Sequence, residues 1–522
     1  MATTAAPTAP AKAGTRARTD QPIARHALDR AFLRTTGAPL VNGNAVTILR
    51  DAHENYPAWL AAIAQARDKI YFESYIIAND PIGKSFADAL AERARAGVRV
   101  RVVRDWLGTH GADPLWKELA SAGAEVRTFN PFDWTSPLGW LSRDHRKTIS
   151  IDGRVAFVSG LCVSSKWEGD PTRRLEPWRD TGVELRGPAV ANVERAFASV
   201  WKASGPTELP DDELTIGSAI EPAGTMAVRV VASEPNTGGL FRLDQLVASL
   251  ARQHLWLTDA YFVGLAPYVQ ALCAAARDGV DVRLLVPGAS DIPALRPLSR
   301  AGYRGLLEAG VRVFEWNGTM LHAKSAVADA VWARVGSTNL NFASWLGNWE
   351  LDLAVEDERF AAQMAKMYED DLTHATEIVL TKRNRVRRAP SAPSVQDGAR
   401  RAMSGSAGRA AAGAISVGSA VGAALTNRRV LAPTESGVLA KLGLAVLAVA
   451  CAGIAWPHVV AVPVSIVLAW IGLAVLGRAR RLWLERRRAA ANKAAEDARV
   501  RERVTEQVGA VDSADEQREN VS

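Results

Sequence analysis

Apolar-rich runs of strand length alternate with helix-periodic stretches through the middle of the chain, and the same order occurs twice. Ile70 to Ile77 reads as a strand, the stretch to Arg95 carries helical spacing, and Ala96 to Val103 reads as a second strand. Leu255 to Phe262, the helical Pro267 to Arg277, and Asp278 to Leu285 repeat that order. Each helix runs into a Gly, which suits a left-handed C-cap, and each following strand would add beside the first in a βαβ crossover. Further strand-like runs span 148–157 and 325–335. The pattern predicts an α/β fold of two duplicated halves, 37–206 and 226–380, joined by an acidic, Pro-containing linker at 207–225. Pseudo-twofold packing would put one active site at their shared face.

Two longer apolar stretches follow, Gly437 to Trp456 and Val459 to Leu476, separated by a turn at Pro457 and His458. Each is roughly 18–20 residues, enough to cross a ~30 Å hydrocarbon core as a helix. The expectation is a C-terminal two-helix transmembrane hairpin at 437–476. A buried soluble hairpin is the competing reading, because the segments are rich in Ala and Gly, and the flanking charge argues against it. Arg428 and Arg429 precede the pair, and Arg478, Arg480, Arg481 and Arg486 to Arg488 follow it. The positive-inside bias then leaves both ends, and the central region, in the cytoplasm. Residues 1–36 lack an apolar run and read as a flexible arm rather than a secretory signal. Residues 381–436 form a basic Ala/Gly/Arg-rich tether, and 477–522 a polar cytoplasmic tail.

Composition narrows the picture further. A chain of 522 residues with 48% hydrophobic residues can bury a large core, which excludes a wholly disordered or collagen-like protein. Cys162, Cys273 and Cys451 lie far apart, so neither a disulfide framework nor a zinc cluster is supported. The net charge of +7 is unevenly spread: residues 381–429 carry net +9, whereas 37–380 sum to −8. A domain that grips nucleic acid usually carries a basic footprint. Here the basic clusters flank the apolar pair, which points to an anionic membrane surface and away from nucleic acid. No feature identifies a protein partner.

Each half carries one reactive spacing, HxKx4D. The first is His145, Lys147 and Asp152, and the second is His322, Lys324 and Asp329. Alternation along a strand puts His and Lys on one face, where an imidazole and an ammonium can converge on a phosphate. Two matches at corresponding points of a duplication are a strong signal. A phosphodiester is already anionic, so its cleavage needs charge neutralisation, a nucleophile, and a proton for the departing alkoxide. Two His and two Lys supply all three without metal or cofactor. One neutral imidazole attacks to give a phosphohistidine, and the other protonates the first alcohol and then deprotonates the acceptor. Asp152 and Asp329 sit an odd number of residues from their His and are read as structural ion-pair or turn residues. The remaining His are read as ordinary polar positions. Trp134, Trp140, Trp345 and Trp349 are read first as core and second as the wall of an acyl-chain entrance.

Over roughly residues 40–380 the chain resembles the phospholipase D superfamily, which is defined by two such motifs. Gly336-Ser337-Thr338-Asn339 and Glu350 match that family's extended motif. In the first half Cys162 stands where the family usually has Asn, and Asp180 stands in for Glu350. The resemblance implies that Lys147, Lys324, Ser337 and Asn339 bind the phosphate, that Asp180 and Glu350 orient the imidazoles, and that His145 is the nucleophile with His322 as acid and base. Within the superfamily the resemblance is to bacterial cardiolipin synthases, carried by 144–147, 151–158, 178–180, 284–288 with Ser290 and Asp291, and 319–324. It implies a phosphatidyl group carried on His and passed to a hydroxyl of phosphatidylglycerol, with phosphatidylethanolamine as a further donor, at the bacterial inner membrane. Hydrolysis to phosphatidic acid is the alternative, followed by another phosphodiesterase or nuclease of the superfamily. A non-enzymatic membrane scaffold would leave four reactive residues idle.

Overall fold

The computed structural model describes residues 22–109, 111–132, 142–173, 176–292, 295–380 and 386–388, with scattered positions between 444 and 480. It opens with α1 (Pro22–Thr36). The first half then runs β1 (Val41–Arg50), α2 (Asp51–Gln65), β2 (Lys69–Ser74), α3 (Pro81–Arg95), β3 (Arg99–Asp105), α4 (Asp113–Ser121) and β4 (Glu125–Phe129). It continues through β5 (Lys147–Ile151), β6 (Val155–Ser159), α5 (Ser165–Glu168), β7 (Thr181–Arg186) and α6 (Val190–Ala203). The second half follows with β8 (Met226–Ser233), α7 (Gly239–Leu250), β9 (His254–Thr258), α8 (Ala266–Arg277), β10 (Asp281–Pro287), α9 (Leu295–Glu308) and β11 (Arg312–Trp316). It ends with β12 (Ser325–Ala328), β13 (Trp332–Gly336), β14 (Glu350–Glu356), α10 (Glu358–Thr373), β15 (Ala375–Leu380) and β16 (Val386–Arg388).

The strands form one 16-stranded sheet in the order β16-β15-β11-β10-β9-β12-β13-β14-β8-β1-β7-β6-β5-β2-β3-β4. Read outward from the β8/β1 seam, the order β14-β13-β12-β9-β10-β11 mirrors β7-β6-β5-β2-β3-β4, so the duplication in sequence is a pseudo-twofold in space. In each half a βαβ crossover builds the parallel pair, β2 with β3 and β9 with β10. Pro81 opens α3 behind the Asp80 cap, whose carboxylate accepts the Gly83 amide. Gly97 and Gly279 follow α3 and α8 at φ of +88° and +92°, left-handed positions that glycine fills without strain.

Each half has its own core, and a third joins them. Val183, Leu185, Val228, Val335 and Leu353 belong to that shared cluster. Burying such a side chain contributes about 1.5–3 kcal/mol, so the two halves are held as one body. The strand-like runs at 148–157 and 325–335 each prove to be two strands, β5–β6 and β12–β13. The break falls at Asp152 and Asp329, with φ of +53° and +51°. A left-handed residue reverses the chain where a hydrophobic run alone would carry it straight on.

The expected flexible arm 1–36 is corrected over its last part. Residues Pro22–Thr36 are helical, Phe32 is buried, and the Arg229 guanidinium pairs with Asp29 and donates to the Ala38 carbonyl at 3.1 Å. A single Phe anchor is invisible to a search for apolar runs. The linker 207–225 lies along the first half, where Leu209 is buried beside Phe197 and Trp201 and Glu213 pairs with Arg101. Most of the apolar pair 437–476 lies outside the described residues. The described positions there are helical, with Leu444, Leu447, Ile466 and Leu473 exposed. Among the described residues no helix is long and apolar enough to cross a membrane.

Candidate active site

The two HxK segments enter their strands from the shared face. His145 lies two residues before the start of β5 at Lys147, and His322 three residues before the start of β12 at Ser325. Extended backbone places His and Lys two residues apart on one face. Each lysine folds back so that its ammonium donates to the carbonyl of its own motif's histidine. Backbone bridges then tie each segment to the opposite half. The His145 amide donates to the Trp349 carbonyl at 2.9 Å, and the His322 amide donates to the Arg179 carbonyl at 2.7 Å.

Those bridges set the carboxylates across the pseudo-twofold. Glu350, from the second half, lies with both oxygens 3.0 Å from Nδ1 of His145 in the first. Asp180, from the first half, lies 2.7 Å from Nδ1 of His322 in the second. Both carboxylates are fully buried. With Nδ1–H donating to a carboxylate, Nε2 of each ring carries the lone pair.

The carboxylates are themselves held, by different means in the two halves. The Ser337 hydroxyl donates to Glu350 and accepts the Leu351 amide at 3.0 Å. The hydroxyl expected on the phosphate is thus also within hydrogen-bond reach of the carboxylate. Gly160 occupies the corresponding place in the first half, where an added Cβ would meet Asp180 Oδ1 at 2.2 Å. Asp180 is steadied by the indole of Trp167, which donates to Oδ2 at 2.8 Å, and by its amide, which donates to Asp51 at 2.8 Å. Neighbouring Arg179 forks onto Asp371 of α10 at 2.9 and 2.8 Å. Sequence reasoning missed Trp167, Asp51 and Asp371, because none belongs to a motif and Asp371 lies in the other half.

Asn339 is buried, with Nδ2 3.5 Å from the Ser344 hydroxyl and Oδ1 without a partner among the described residues. Cys162 is also buried, and burial pushes its thiol up, so it stays a neutral thiol. Asp152 and Asp329 stand apart from the reacting groups. Asp152 accepts the amides of Arg67, Asp68 and Lys69, and Asp329 those of Arg252, Gln253 and His254, all at 2.8–3.0 Å. They cap turns rather than form ion pairs. Trp345 is wholly buried, with its indole donating to Asp244, so it is core and no entrance wall. Trp349 is half-buried with the Arg146 guanidinium 5.0 Å from its ring. Trp134 and Trp140 lie outside the described residues.

Electrostatics make the four motif groups one unit. Burial pushes His322 down to about 3, reinforced by the ammonium of Lys324 and opposed by Asp180. Burial also pushes His145 down, with Glu350 opposing and both lysines adding to the shift. Lys324 falls to about 8, because burial outweighs the attraction of Asp180 and because Lys147 lies near. Burial would raise Glu350 and Asp180, yet the facing imidazoles and lysines hold both below the usual carboxylate range. Both imidazoles are therefore held neutral and both carboxylates anionic beside the two motif lysines, a set suited to an anionic phosphodiester. Tyr75 stands 5.1 Å from His145 and Tyr261 5.8 Å from His322, ring to ring, and wall the site.

The family model described as "Cardiolipin synthase, PLD-like domain" matches residues 59–201 and 247–372. Over 370 residues the chain is 33% identical to cardiolipin synthase A of Pseudomonas aeruginosa, covering 69% of this chain and 73% of the relative. It is 31% identical over 347 residues to a cardiolipin synthase of Alkalihalophilus pseudofirmus, covering 65% of this chain and 68% of the relative. Among solved structures, phosphatidylserine synthase of Haemophilus influenzae aligns with a TM-score of 0.53 at 15% identity. That alignment covers 67% of this chain and 91% of the other, a likeness of fold.

Proposed function

The chain belongs to the phospholipase D-like family of cardiolipin synthases, and on that premise we propose that it is a phosphatidyltransferase acting through a phosphohistidine. The observation that carries the reading is the crossed pair of carboxylate–imidazole contacts, Glu350 on His145 and Asp180 on His322. Nε2 of His145 attacks phosphorus as the bond to the headgroup oxygen breaks, and His322 in its imidazolium form protonates the departing alkoxide. Neutral His322 then takes the proton of the acceptor hydroxyl as that oxygen attacks phosphorus. The P–N bond breaks, His145 is restored, and His322 again holds its proton. Burial by itself keeps His322 neutral. The substrate's negative charge, set between Lys147 and Lys324, offsets the lysine charges that oppose protonation, so His322 takes up a proton from solvent once the phosphodiester is bound. Asn339 and the two lysines hold the non-bridging oxygens.

The donor and acceptor in this reading are both phosphatidylglycerol, giving cardiolipin and glycerol, with phosphatidylethanolamine as a second donor. The apolar pair 437–476 anchors the chain in the bacterial inner membrane, and the flanking arginines place the two halves, 37–206 and 226–380, on the cytoplasmic side. The test uses the purified chain with phosphatidylglycerol as sole lipid, in the presence of a chelator, with products read by mass spectrometry. Cardiolipin and glycerol are expected. Phosphatidic acid as the main product would make the protein a hydrolase.

A further inference from the structure

Beside the anion-binding centre stands a carboxylate that phosphate chemistry does not explain. Asp291 follows β10 in the turn Gly288-Ala289-Ser290 and is half-exposed. Its Oδ1 accepts the hydroxyl of Tyr261 at 2.9 Å. Tyr261 is itself fixed, its amide on Asp259 at 3.1 Å and its carbonyl accepting from Asn341 at 3.0 Å. The face of this ring lies 5.9 Å from the ammonium of Lys324, and its ring centre lies 5.8 Å from that of His322. The charge of Asp291 also bears on Tyr75, the ring beside His145. Asp291 thus joins the site through Tyr261, whose ring stands beside His322 and Lys324. Among the described residues no Lys, Arg or His pairs with it, and Oδ2 takes no hydrogen bond. The corresponding turn after β3 holds Thr109, buried and donating to the Asp105 carbonyl, so the pseudo-twofold is broken here.

A carboxylate with no cation paired to it among the described residues, set beside a phosphate site, repels the substrate the lysines attract. It becomes favourable if the rest of the bound molecule presents hydroxyl hydrogens, because a carboxylate accepts strong charge-assisted hydrogen bonds and carries no donor of its own. We infer that Asp291, held by Tyr261, binds a hydroxyl of a polyol acceptor such as the glycerol headgroup, and thereby selects such acceptors over simple alcohols. The inference rests on the transferase reading above and names the group in that site that chooses the acceptor.

The test presents the full-length protein with phosphatidylglycerol micelles and equal concentrations of isotope-labelled glycerol and 1-propanol. Mass spectrometry gives the ratio of labelled phosphatidylglycerol to phosphatidylpropanol. The native protein is expected to favour glycerol. Asp291→Asn keeps the shape and removes the charge, and should lower the ratio about tenfold. Tyr261→Phe, which frees the carboxylate, should shift it the same way by less, and gives the answer if the first variant fails to fold. An unchanged ratio in both variants, with transfer intact, overturns the acceptor role alone. Phosphatidic acid as the sole product of the native protein would overturn the transferase reading, and the acceptor role with it.

Discussion

At the scale of single residues, burial holds two imidazoles neutral beside charged neighbours. Glu350 and Asp180 each fix one ring through Nδ1, and that contact both orients Nε2 and stabilises the imidazolium when it forms. Glu350→Gln keeps the size but removes the charge and permits the wrong tautomer. By analogy with other carboxylate–histidine pairs, kcat should fall by about three orders of magnitude with little change in KM. Steady-state kinetics on lipid micelles will show it. The pH dependence follows from Lys324, pushed down to about 8. In the proposed mechanism its ammonium is the form that binds the phosphodiester, and it is lost as pH rises through the pKa. Thus kcat/KM, which reports the free enzyme, should fall above about pH 8 by up to tenfold per unit. A plateau to pH 10 would contradict that role.

At the scale of elements, turns and loops decide whether those residues meet. Asp152 and Asp329 close the β5–β6 and β12–β13 turns, each with a left-handed backbone and three amides on one carboxylate. Asp329→Ala should cost about 1–3 kcal/mol, and Asp329→Asn less, since Asn tolerates the same φ and keeps an acceptor. Thermal unfolding measures the loss, while the KM of the remaining folded enzyme should stay near the native value. Gly160 makes the opposite demand, for space rather than for contacts. A methyl there would overlap Asp180 Oδ1, so Gly160→Ala should push the carboxylate off His322 and lower kcat by about tenfold or more. A native rate with a folded protein would show that the loop can move aside. These loops were only partly legible. HxK announced itself because alternation forces His and Lys together, whereas Trp167 supports Asp180 from a helix of four residues that no spacing rule marks.

At the scale of the whole molecule, each carboxylate–imidazole contact is made between the two halves. His145 needs Glu350, 205 residues on, and His322 needs Asp180, 142 residues back. Arg179, beside Asp180, is clamped by Asp371 of the second half. Membrane attachment belongs to this scale as well. A chain ending after residue 388 keeps the sheet and loses the apolar pair, and it should move from the membrane to the soluble fraction on ultracentrifugation while its activity on detergent micelles persists. Retention of that chain on membranes would assign binding to the folded halves. What the sequence determined by itself was local or periodic: the duplicated βαβ order, the paired HxKx4D spacings, the carboxylates after them, and the segregation of charge around the apolar pair. Such features follow from strand alternation, helix periodicity and composition, which act within a few residues. Tertiary structure alone decided that the carboxylates cross between halves, that Ser337 serves Glu350, and that Asp291 stands beside the site. Those contacts join positions tens to hundreds of residues apart, and only the packing of the two halves across the shared core brings them within hydrogen-bonding distance.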